Sequence, residues 1–137
     1  MLISISEGNR TIAFTVSTSI ILRNYNNKII KYDKVLTNKG SAYNTNTGIF
    51  TCPTTGTYVF TWSTMSGVYS NICDATIYHN GNGLLLSSSN EGGGSYEEVA
   101  SNTLVLTMAV GDRVWIQTGT GTFCNGYPWT GFSGWKI

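Results

Sequence analysis

Charge is what this chain has least of. Charged residues make up 11 % of its 137 residues, eight Lys and Arg against seven Asp and Glu, for a formal net charge of +1. A soluble domain ordinarily carries about a quarter. So balanced a chain has no electrostatic handle for nucleic acid or an anionic membrane surface. Histidine occurs once, as His79. No His-rich metal motif, Gly-x-Ser-x-Gly elbow or Walker-type loop occurs, which argues against catalysis. His79 is read as an ordinary strand residue beside a hairpin. No apolar run reaches the length of a membrane-spanning helix, so membrane insertion is not expected. The start shows no secretory-signal pattern, and Met1 is read as a trimmed start. The three cysteines, Cys52, Cys73 and Cys124, show no Cys-x-x-Cys spacing. Zinc is therefore not expected, and one thiol stays unpaired if a disulfide forms.

With so few charges, the surface is left to Ser, Thr, Asn, Gly and Tyr. Such a surface suits hydrogen bonding to neutral polar ligands, sugars among them, and an extracellular setting; many secreted β-domains share it without binding any ligand. Asn9-Arg10-Thr11 is an N-glycosylation acceptor triplet. The length sets one domain, with residues 1–10 as an N-terminal extension and 11–137 as the folded unit.

Helical periodicity persists nowhere. Thr, Val, Ile and Tyr dominate, interrupted at short intervals by Gly and Asn, the pattern of an all-β sandwich or barrel. Strands are predicted at 12–17, 29–35, 74–79, 84–87, 99–108, 113–118 and 131–137. Residues 36–48 read as polar and turn-rich. Asn80-Gly81 is the strongest hairpin signal, and 110–112 reads as a tight turn. Leu104, Leu106 and Met108 share one strand face, and Val114 and Ile116 point inward. The centre of the pattern is 48–62. Pro53 and Gly56 punctuate a turn there, and Tyr58, Phe60 and Trp62 then recur at period two. Three aromatics on one strand face are the expected middle of a sheet core.

The same stretch resembles the globular C1q domain family. That family's pattern runs aromatic, Asn or Asp, aromatic, Phe and Gly-x-aromatic-x-Phe-x-aromatic at fixed intervals. Tyr32, Asn38, Tyr43, Phe50, Gly56, Tyr58, Phe60 and Trp62 keep every interval. Tyr32, ordinarily Phe, and Trp62, ordinarily Phe or Tyr, depart but stay aromatic. The phrases Asp33 to Asn38, Gly111 to Trp115 and Phe132 to Trp135 also look like family signatures. The resemblance spans about Thr11 to Ile137.

It implies a ten-strand jelly-roll sandwich that assembles as a homotrimer, in a stand-alone secreted member of invertebrate type. It implies that the termini and the Asn80-Gly81 hairpin lie at the base. The loops 66–71, 88–98 and 119–130 then gather at the opposite, upper end. In that topology Cys73 and Cys124 pair at the upper end, while Cys52 stays reduced at the base. Calcium, bound by some family members near the trimer apex, has candidate ligands in Asp74, Glu91, Glu97 and Glu98; without a dense Asp-x-Asp cluster, solvated carboxylates is the better account. Tyr69, Asn71, Asn90, Glu91, Tyr96, Asn125, Tyr127 and Trp129 lie in or beside the upper loops. Aromatic faces there can stack on sugar C–H surfaces while amides and carboxylates bond hydroxyls; the same Tyr127 and Trp129 could instead pack their own loop or a trimer seam. The expected function is non-catalytic recognition of glycans or microbial surface polysaccharides, lectin-like and in innate immunity. The alternative is a structural or signalling trimer that binds a protein receptor or extracellular matrix.

Overall fold

The computed structural model describes residues 10–66, 72–90 and 98–137. Ten strands run in chain order: β1 Ala13–Ser17, β2 Lys34–Lys39, β3 Tyr43–Asn44, β4 Ile49–Thr51, β5 Gly56–Met65, β6 Ile72–His79, β7 Asn82–Asn90, β8 Val99–Met108, β9 Arg113–Thr118 and β10 Gly131–Lys136. They form two five-stranded antiparallel sheets, ordered β2-β1-β10-β5-β8 and β3-β4-β9-β6-β7. This is the jelly-roll sandwich that the resemblance implied. β8 and β9 begin and end where the alternation of the sequence places them. Asn80 and Gly81 close the β6–β7 hairpin with φ of 50° and 89°, the left-handed pair a two-residue turn demands.

The inner faces meet in an aromatic core. Tyr58, Phe60 and Trp62 are 0–1 % exposed. Phe60 lies 5.4 Å from Phe50 and 6.1 Å from Phe132, centroid to centroid, and Phe14 lies 4.9 Å from Phe132. Trp62 ties the sheets together: its indole N–H donates to the Ala75 carbonyl at 2.9 Å. Asn38, part of the family pattern, clamps the β2–β3 turn. Its Nδ2 donates to the Tyr43 carbonyl and its Oδ1 accepts from the Tyr43 amide.

The strand predicted at 29–35 starts late. Ile29 makes only an isolated bridge to Gln117, and β2 runs on to Lys39 through residues that read as turn. β2 is an edge strand paired only with β1. Val35 and Leu36 are exposed, so no apolar alternation marks it.

Tyr32 is fully buried, and no described residue bonds its hydroxyl. Burial pushes its phenol pKa well up. An unmatched buried hydroxyl costs about 1–3 kcal/mol. Tyr32→Phe, the residue usual in the family, is therefore expected to raise unfolding free energy by about 1 kcal/mol or more. Equilibrium urea unfolding checks this, and a lowered midpoint would show that the hydroxyl is satisfied.

A candidate recognition surface at the upper end

The 119–130 connection is held on all sides. Cys124 forms a disulfide with Cys73, with Cα atoms 5.0 Å apart. Both cysteines are fully buried. Cys124 also exchanges backbone hydrogen bonds with Leu22 at 2.8 and 2.9 Å, the Phe123 amide donates to Ile72, and the Asn125 amide donates to Met65. The Asn125 side-chain Nδ2 donates to the Ser66 carbonyl at 3.3 Å. The amides of Tyr127 and Trp129 donate to the carbonyls of Thr18 and Gly126. Ser63 Oγ donates to the Trp129 carbonyl at 3.1 Å. A Cβ on Gly126 would stand 2.7 Å from the Ile20 carbonyl oxygen. Only glycine lets the chain pass there.

This bracing leaves two aromatics in solvent. Tyr127 is 50 % and Trp129 49 % exposed. Tyr127 joins Pro128 through a cis peptide bond. Tyr127 and Pro128 wall a shallow cleft of about 230 Å³ over the outer face of the β2-β1-β10-β5-β8 sheet. Its other side carries the hydroxyl residues Thr15, Thr61, Ser63 and Ser133. Thr15 and Ser133 pair in register and their hydroxyls lie 2.8 Å apart. Lys34 Nζ stands 4.5 Å from the Tyr127 ring centroid, a cation–π contact. Trp129 does not line the cleft. Of the two aromatics, only Tyr127 therefore faces this cleft.

Asn90 ends β7, and its amide donates to Glu98 Oε1 at 3.1 Å. Asp74 accepts from the Ser88 hydroxyl. Among the described residues no group of three or more His, Cys, Asp and Glu converges to hold a metal. Tyr69, Asn71, Glu91, Tyr96 and Glu97 lie outside the described residues, as does Asn9 of the glycosylation triplet.

The opposite end carries the remaining singled-out groups. His79 Nε2 lies 3.0 Å from Asp112 Oδ2, and Asn80 Nδ2 donates to Asp112 Oδ1. His79, the Ala109 amide and Asn80 hold the Asp112 carboxyl down at about 2. The cluster ties the β6–β7 hairpin to the β8–β9 turn. Cys52 is a buried free thiol that donates to the Thr54 carbonyl at 3.0 Å.

The outer face of the second sheet was not singled out in the sequence. Tyr78 and Trp115 pair across β6 and β9, with rings 5.9 Å apart and 3° from parallel. The signal was present: with Val114 and Ile116 inward, Trp115 must face out.

The C1q domain family matches residues 13–137. Among curated proteins, Complement C1q tumor necrosis factor-related protein 3 of Mus musculus is 37 % identical over 112 residues, 80 % of this chain and 44 % of its own length. Caprin-2 of Danio rerio is 32 % identical over 109 residues, 79 % of this chain and 12 % of its own. The chain thus spans less than half the length of these relatives. Among solved structures, the globular domain of zebrafish complement 1qA protein superposes with a TM-score of 0.75 at 23 % identity, covering 92 % of this chain and 97 % of that one. The Eiger TNF of S. frugiperda gives 0.76 at 13 % identity, covering 94 % of each. At those identities the likeness is one of fold. Pattern, sandwich topology and matched residues agree: the chain belongs to the C1q family.

Proposed function

We propose that this domain is an extracellular, non-catalytic recognition module that binds glycans, such as microbial surface polysaccharides, through its upper end. The observation that carries this is the pair of half-exposed aromatics, Tyr127 and Trp129, on a loop braced by the Cys73–Cys124 disulfide. A sugar site needs an apolar face beside hydroxyls and amides on a rigid frame. Here the frame is set before any ligand arrives, so little ordering entropy opposes binding. The hydroxyls facing Tyr127, together with Asn125 and Asn90, supply donors and acceptors. Tyr69, Asn71, Glu91 and Tyr96 belong to the same proposal by their place in the chain. The disulfide accords with an oxidising, extracellular setting.

Homotrimeric assembly, which fits the family, is part of this reading. A second function is favoured by another observation. On the outer face of the first sheet Trp135, Val59 and Val105 stand in one register row. Trp135 is 42 % and Val105 60 % exposed. An apolar row on a sheet face suits association with further copies or with a protein receptor. A receptor-binding or matrix-associated trimer is the alternative to the lectin.

Trp129→Ala is expected to weaken glycan binding by about 1–3 kcal/mol, the range of a binding hot spot. The sedimentation mass should stay unchanged. A glycan array followed by calorimetry on the best hit measures the first, and analytical ultracentrifugation the second. Full binding with Trp129 removed, or loss of the assembly, would remove this residue from the site. A blank array with a protein receptor captured would favour the alternative.

A further inference from the structure

The chain carries a second feature on the sheet away from Tyr127. At the base half of β3-β4-β9-β6-β7, Asn44, Thr47, Ile49, Thr51 and Arg113 line a cleft of about 210 Å³. Thr51 pairs in register with Arg113, and Ile49 with Trp115. These four side chains therefore share the outer face, with Tyr78 next to Trp115 in the same row.

The cleft's polar groups are unevenly spent. Asn44 Oδ1 accepts the Asn46 amide at 2.8 Å. Thr47 Oγ1 accepts the Ile49 amide at 3.3 Å. Both acceptors thus serve the β3–β4 turn, while the Asn44 NH₂ and the Thr47 O–H remain as donors. No described residue bonds or pairs with the exposed Arg113 guanidinium. Its backbone is engaged with Asn80: the amide donates to Asn80 Oδ1 and the carbonyl accepts the Asn80 amide, each at 2.9 Å. No Asp or Glu lines the cleft. A guanidinium, two hydroxyls and an amide with few acceptors between them fit an anion. The apolar floor beside it, Ile49 and Trp115, fits the face of a sugar ring.

We propose that this outer face is a binding site for an acidic saccharide, whose carboxylate or sulfate is held by Arg113 and whose ring packs on Ile49 and Trp115. It does not depend on the upper-end reading: the two sites lie at opposite ends of the sandwich and share no residue. A neutral glycan suits the upper cleft, and an anionic one suits this face.

Three probes test the proposal on the whole chain: a hyaluronan tetrasaccharide, whose only anions are carboxylates; a carrageenan tetrasaccharide, whose only anions are sulfates; and neutral maltotetraose. Amide-resolved NMR titration locates each. Either acidic sugar is expected to shift Thr51, Arg113 and Trp115, and the arm that binds more tightly identifies the anion. Binding should weaken severalfold between about 50 and 500 mM salt. Arg113→Gln should weaken it by about tenfold or more, with Arg113→Lys between the two. Maltotetraose should leave these resonances unmoved. The proposal is overturned if neither acidic sugar moves them, if Arg113→Gln binds within about twofold of the parent, or if the shifts map to the Tyr127 loop. In that last case the upper-end reading stands. Trp129→Ala, which should not touch acidic-sugar binding at Arg113, separates the failure of one site from failure of the other.

Discussion

Replacing both Cys73 and Cys124 by alanine is expected to lower unfolding free energy by about 4 kcal/mol. The bridge closes a loop with a sequence separation of 51. In the chain-entropy model a loop of that length restricts the unfolded ensemble by roughly this much. The loss should exceed what two buried sulfurs contribute by packing, because the bridge also joins β6 to the recognition loop. Equilibrium urea unfolding at fixed protein concentration measures it, since assembly would make the midpoint concentration-dependent. Alkylation of the unfolded, unreduced parent should label Cys52 alone. Labelling of three thiols, or a loss below about 1 kcal/mol, would mean the bridge does not restrain the chain. Glycan affinity at Trp129 should fall as well. The loop keeps its backbone bonds to Leu22, Ile72 and Met65 but loses its covalent tie.

Trp62→Ala is expected to cost about 3–5 kcal/mol from lost packing and the cavity it leaves. A further 1–3 kcal/mol or so comes from the Ala75 carbonyl, which loses its buried donor. Trp62 is 1 % exposed, and its N–H makes a buried hydrogen bond that crosses between the sheets. Together these approach the whole stability of an ordinary domain, so the variant should be unfolded or nearly so at 37 °C. Trp62→Phe keeps much of the ring volume and should fold with a smaller loss. Circular dichroism melts of the two variants beside the parent decide it. A Trp62→Ala melt within a few degrees of the parent would show that the sheets do not depend on this ring.

Some of the architecture was legible because it is local. The alternation of Tyr58, Phe60 and Trp62 marks one face of β5 wherever its partners lie. Asn80-Gly81 marks a hairpin because few other residue pairs tolerate left-handed φ twice in succession. β8 and β9 show their inward residues at period two, with a turn between them. The C1q-like pattern added what periodicity cannot, namely which strands neighbour one another and which two cysteines meet.

What stayed hidden depends on register between distant segments. β2 was placed too early, at 29–35, and its continuation to Lys39 was read as turn, because an edge strand with one partner and a solvated face has no apolar rhythm to display. Tyr127 and Trp129 were two upper-loop aromatics with no cleft assigned to either. The bonds to Thr18, Gly126 and Ser63 send Tyr127 over the first sheet and leave Trp129 outside its cleft. Arg113 was one charge in a turn signature until β4 brought Thr51 and Ile49 beside it and the β3–β4 turn consumed the nearby acceptors. By itself the sequence determined the class of fold, the core strand and the hairpin, because each follows from residue type and short spacing. Tertiary structure alone decided which exposed side chains face a common cleft. That depends on strand pairing over long stretches of chain, and on which lone pairs and donors the backbone uses for itself.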